Sequence, residues 1–161
     1  MSTASIVNTA KVPGRRQLSF ESYEELLADL DRLGSRPVRH LGNWSPGQNF
    51  RHLATVYNNS IDGFTLKFPL PLRMVAKLFR KRLMLMSMPA GFKLPAKTGR
   101  SLMPPPTSTE EGLAELRAAI ARLQNEPRRA KHPLFGKMTN EEWDKLHLKH
   151  AALHLSFLVP S

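Results

Sequence analysis

Cysteine is absent from the 161 residues. That removes disulfides, a cysteine nucleophile and thiolate metal ligands, so a bound metal would have to be held by nitrogen or oxygen. It also agrees with a cytoplasmic setting. Acid is scarce: 13 Asp and Glu stand against 24 Lys and Arg, a formal charge of +11. Long apolar runs are missing, and nothing approaches the roughly 18 residues that would suggest a membrane span. The Arg15-Arg16 pair is followed by ESYEELLADLD rather than an apolar run, so no export signal is expected. Strand-like alternation, internal repeats and low-complexity tracts are absent as well. Helical periodicity is the regular signal that remains.

Length points to one domain, 19–161, behind an N-terminal arm of residues 1–18. A first helix is predicted over about 20–33, with Tyr23, Leu26, Leu27, Leu30 and Leu33 at helical spacing, Ser22 and Glu25 as its cap and Gly34 as its stop. After a loop over 35–43, Ser45, Pro46 and Gln48 open a second helix bearing Phe50, Leu53, Val56, Tyr57, Ile61 and Phe64. A third, with Leu113, Leu116, Ile120 and Leu123, follows three prolines, is capped by Thr107 and Glu110, and ends before Pro127. The last runs over about 139–158, capped by Thr139 and Glu142.

Residues 65–106 hold seven of the 13 prolines and read as a long crossing segment. It contains a short basic helix over about 72–86, with Arg73, Lys77, Arg80, Lys81 and Arg82 set among Met74, Val75, Leu78, Phe79, Leu83 and Met84. The favoured reading is a cover for one end of the protein, bases facing water; the other is an anionic membrane or a partner. The methionines nearby (Met74, Met84, Met86, Met88, Met103) read as core filler or as an adaptable pocket lining. The expected architecture is all-α: a four-helix bundle in up-down-down-up order, the long crossover letting the second and third helices run parallel.

Three of the six histidines, His147, His150 and His154, fall on the last helix. His150 and His154 are four apart and share a face. The apolar seam runs Trp143, Leu146, His150, Leu153, Phe157, so His150 takes a slot where packing would place a leucine. A buried imidazole needs a hydrogen-bond partner or a metal, and the spacing leaves both readings open. His147 and His154 lie about 10 Å apart along the helix axis, so all three cannot easily share one ion. His52, at the edge of the second helix's apolar face, is the candidate third ligand.

Two segments carry a resemblance. Trp44-Ser-Pro-Gly-Gln48-Asn-Phe-Arg-His52-Leu53 is one; His132-Pro-Leu-Phe-Gly136-Lys-Met-Thr139-Asn-Glu-Glu142-Trp143, followed by His150 and His154-Leu155, is the other. Together they resemble the DinB-like superfamily, in particular a branch known only as a domain of unknown function, over about 15–160. The resemblance implies a four-helix bundle whose three histidines bind a divalent metal, usually nickel or zinc; carried onto this chain they are His52, His150 and His154. It also implies kinship with transferases of low-molecular-weight thiols and with amidohydrolase-like enzymes. The chain departs from the pattern at Leu153, where relatives often carry another histidine, and at Ser156 and Phe157, where they continue with glutamine and glycine.

Three neutral imidazoles would leave an ion its full charge and an open position, which reads as catalytic rather than structural. Gln48, Asn59 and His147 are candidate groups for water or substrate; Asp62 and Asp144 read as exposed residues before they read as supports of the ligands. No general base stands out. The functional reading is a metal-dependent thiol transferase or hydrolase taking a small-molecule substrate, with a thiol cosubstrate in the transferase case. The alternatives are a non-catalytic metal-binding bundle and a basic binder of nucleic acid or membrane surfaces. Bases spread along the chain, with no stacking motif or helix-turn-helix pattern, argue against nucleic acid and against stable membrane association. The apolar face of 65–106 offers a homodimer contact.

Overall fold

The computed structural model describes residues 6–91 and 103–161. The start of the expected arm, 1–5, and part of the crossing segment, 92–102, lie outside the described residues. Capping explains where the long helices begin. Ser22 accepts from the Glu25 backbone N–H at the start of α1 (Tyr23–Gly34). Ser45 and Gln48 close a reciprocal box on α2 (Pro46–Asp62). Two short helices without side-chain caps follow, α3 (Leu70–Leu78) and α4 (Arg80–Leu85). They replace the single helix predicted over 72–86. Ser108, not Thr107, caps α5 (Thr109–Asn125), accepting from the Glu111 N–H; the Thr107 hydroxyl is turned to Pro105 O at 2.9 Å. Thr139 and Glu142 box the start of α6 (Asn140–Leu155).

That last helix ends at Leu155 because the chain then becomes a strand. β1 (Val38–His40) pairs antiparallel with β2 (Leu158–Pro160), Val38 opposite Pro160 and His40 opposite Leu158. The ribbon corrects the expectation of no strands: three residues are too few to print an alternation. Apart from it, the described residues are helical and irregular, and the class is all-α.

The core lies between the four long helices, with Leu26, Leu30, Phe50, Leu53, Leu116 and Leu155 fully buried. The most extensive packing is between α2 and α5. There the two backbones touch: a methyl on Gly112 would collide with the Gly47 carbonyl, and one on Gly47 with the carbonyls of Thr107 and Ser108. A smaller cluster, Ala76, Phe135, Met138 and Trp143, joins α3 to α6 through the loop between α5 and α6.

The twin arginines fasten the N-terminal arm. Arg16 makes a two-pronged ion pair with the buried Asp29, both contacts 2.8 Å, and donates to Leu155 O. Arg15 donates to Ser156 Oγ and lies 4.3 Å over the Phe157 ring. Among the described residues, no helix is long and apolar enough to cross a membrane.

The crossing segment covers the protein in part: Ala76 and Met84 pack into the smaller cluster, the bases other than Arg80 face water as expected, and most apolar side chains of α3 and α4 face outward beside them. Ala76 is the one buried residue of α3, and α4 has none. Most of the surface of these two helices faces outward.

Gly112→Ala tests the helix contact. Helix propensity alone would favour alanine by roughly 1 kcal/mol, but the forced separation of α2 from α5 should reverse the sign. Urea unfolding should show a net loss of about 1–3 kcal/mol, typical of overpacking.

Candidate metal centre

Helix α6 is apolar on two sides. Leu148, Ala151 and Leu155 enter the core. Leu146, His150 and Leu153 instead line a cavity of about 760 Å³. The predicted seam is thus the cavity-facing stripe and not the core stripe. Phe157 also lines the cavity, from beyond the end of the helix. Periodicity could not separate two buried faces of one helix, since both repeat with the same period.

Across the cavity edge, α2 supplies His52. One ring nitrogen from each of His52, His150 and His154 falls within 4.8 Å of the others. His52 Nε2 and His150 Nε2 are 3.4 Å apart. Two nitrogens bound at roughly 2.1 Å to one tetrahedral ion stand about 3.4 Å from each other, so one edge already has the spacing a metal requires. The three residues fit a divalent ion. Burial, followed by the neighbouring imidazoles, holds His150 and His154 well below the ordinary histidine range. Their lone pairs are therefore available at neutral pH without loss of a proton.

Which nitrogen faces the site is settled for His154 by Asn49, a residue that sequence reasoning passed over. The Asn49 amide donates to Trp44 O and Ser45 O, at 3.3 and 3.0 Å. Its oxygen is left to accept from His154 Nδ1–H at 3.3 Å. Nε2 then carries the lone pair. Trp44 stacks flat on His154, centroids 5.5 Å apart, and leans on His52 at 4.9 Å. The clue lay in the stretch that carries the resemblance: Asn49 precedes His52 by three, one helical turn.

The other candidates take different positions. Gln48 is used up at the helix start: Oε1 accepts from Ser45 N–H, and Nε2 donates to Pro104 O at 3.1 Å. It moors the crossing segment and does not line the cavity. Asn59 is half-buried and also absent from the cavity wall. Asp62 pairs with Arg122 at the surface, and Asp144 accepts from the Tyr23 hydroxyl at 2.8 Å. His147 does reach the cavity wall, but as a satisfied core residue outside the three-histidine group. Its Nε2–H donates to Ser60 Oγ at 2.9 Å, and Ser60 donates to Tyr57 O. Burial pushes it down to about 3.

His132 is a cavity residue that the sequence offered only as the first residue of the second segment of the resemblance. Its Nδ1 accepts from two backbone N–H groups, Leu134 and Phe135, each at 3.1 Å. The neutral ring must then carry its proton on Nε2. Burial pushes His132 down to about 4.

The crossing segment adds Leu66, Phe68, Leu83, Met84, Met86 and Met88 to the cavity lining. Among the described residues, no Asp or Glu lines the cavity. Its one charged residue, Lys149, donates to the carbonyls of Met84 and Met86. An ion held here would keep its charge uncompensated by protein carboxylate.

The family model described as a protein of unknown function (DUF1569) matches residues 13–161. No curated protein and no solved structure matches the chain.

Asn49→Ala should weaken binding of added zinc or nickel roughly 10- to 100-fold by calorimetric titration, the usual loss when a ligand's orienting partner is removed. Acid should destabilise the metal-free protein. His132 and His147 are neutral when folded, with values near 4 and 3, and titrate near 6.5 when unfolded. The unfolded chain binds more protons below pH 6.5, so their contribution is complete above that pH and lost as pH falls towards the folded values. The urea midpoint should fall between pH 7.5 and 5; an unchanged midpoint would contradict neutral burial.

Proposed function

Since the chain belongs to the DUF1569 family, whose description states no activity, we propose its function from the site: a metal-dependent enzyme of the DinB-like type, either a low-molecular-weight-thiol transferase or a hydrolase, acting on a small apolar substrate. One observation carries the reading. The three-histidine group opens onto an apolar cavity of about 760 Å³, whereas structural metal sites are normally closed by four protein ligands. The four long helices around one core agree with a DinB-like bundle in up-down-down-up order.

His52, His150 and His154 would hold the ion; an all-imidazole set accepts nickel, zinc, iron or cobalt, and the DinB-like resemblance favours nickel or zinc. Asn49 keeps His154 in the tautomer that can bind. A divalent ion on three neutral imidazoles supplies a Lewis acid of full charge that acidifies a bound water or thiol. The chain's own residues provide the rest. Leu146, Leu153 and the methionines of the crossing segment surround an apolar substrate and exclude bulk water, which strengthens electrostatic interactions inside. His132 can only donate at Nε2, which makes it an anchor for a substrate carbonyl. Lys149 closes the wall by holding Met84 and Met86.

Metal content by mass spectrometry, on protein purified without a nickel column, tests the proposal. The expected result is near-stoichiometric nickel or zinc in the wild type, none in His150→Ala, and turnover in thiol-transfer or ester and amide panels that the same substitution abolishes. Failure to retain either metal after its addition would overturn the site. Retained metal with no turnover in any panel would leave a non-catalytic metal-binding protein.

A further inference from the structure

The outer surface of the crossing segment is apolar and basic together. Leu78 is 78% exposed and Leu85 85%. Leu70, Met74, Val75 and Phe79 are also at least half exposed. Single exposed apolar side chains are ordinary, but a contiguous group on two adjoining helices is not. Between Asp62 and Glu110 the chain has no acid and nine Lys and Arg. Arg73, Lys77, Lys81 and Arg82 are exposed among the apolar side chains. Arg80 is turned inward, to Glu142 at 3.1 Å and Lys137 O at 2.8 Å. With Lys149, it holds the segment by polar ties and leaves the leucines outside.

We propose that α3 and α4 form a docking surface for an anionic lipid bilayer. The two helices lie in the interface plane, leucine, methionine and phenylalanine side chains at the acyl boundary, lysine and arginine on the lipid phosphates. Charge selects this occupant. A second copy of the chain would set two strongly cationic faces against each other. Nucleic acid would satisfy the bases but not the leucines, which offer no stacking platform. The same segment walls the cavity on its inner side through Leu83, Met84 and Met86, so docking would bring the cavity wall against the acyl layer. The surface stands apart from the metal centre and does not depend on its occupancy.

Vesicle flotation of the full chain tests the proposal, with phosphatidylcholine vesicles alone and with phosphatidylglycerol added. The protein should float with the anionic vesicles and not the neutral ones, and release as salt is raised. Lys77→Glu with Lys81→Glu should weaken binding tenfold or more, the effect of removing two interfacial cations. Leu78→Asp with Leu85→Asp should abolish flotation. All four positions are exposed, so circular dichroism and zinc binding should be unchanged. Equal binding to both vesicle types, or none to either, would overturn the proposal. So would full retention in the leucine variant, which would reduce the surface to charge alone, or a dimer on sizing that the leucine variant dissolves, which would make it a self-association face.

Discussion

Backbone contact between α2 and α5 fixes the rest of the molecule. Without side chains at Gly47 and Gly112, the two helices approach until carbonyl and glycine meet. Ion pairs along the same seam, Arg51 to Glu111 and Glu115 and Arg122 to Asp62, resist sliding, although surface pairs of this kind are individually weak. Held in this rotation, α2 faces α6 with Phe50, Leu53 and Tyr57 in the core and with His52 just above it. The histidine cluster is a consequence of how α2 is held against α5.

Within the cluster the ruling physics is desolvation. Burial holds His150 and His154 in the neutral form, which leaves their lone pairs for a cation. Two aromatic surfaces hold them. Trp44 lies against His52 and His154. Trp143 stacks on Phe64 and on His147 and leans on His132. His147 and His132 are satisfied by Ser60 and by a backbone turn, which separates them chemically from the three that share a center. Among the described residues no carboxylate lines the cavity, so none offsets the charge of a bound cation or repels an anionic ligand there.

The crossing segment has two faces with different tasks. Inside, it completes the cavity; outside, it carries cations and apolar side chains. Because α3 and α4 bury little beyond Ala76, local opening of these two helices should be less costly than opening among the long helices.

Most local rules that place the helices were legible in the chain, the cap of α5 and the break between α3 and α4 excepted. Caps at Ser22, Ser45 and Thr139, the stop at Gly34, and the four-residue spacing of His150 and His154 act through neighbours in sequence. So was the choice of His52, which needed two predicted helices and a resemblance. Tertiary structure decided the rest. Periodicity tells which residues share a face but not what covers it. The seam through His150 therefore pointed to a cavity as readily as to a core, and the apolar positions of α3 and α4 read as a cover and as a contact face alike. Asn49 and His132 owe their positions to partners on other elements or to a turn, and the β1–β2 ribbon joins segments more than a hundred residues apart. Contacts of that range leave no repeating mark in the sequence, because they are set by how the helices pack and not by the order of residues along any one of them.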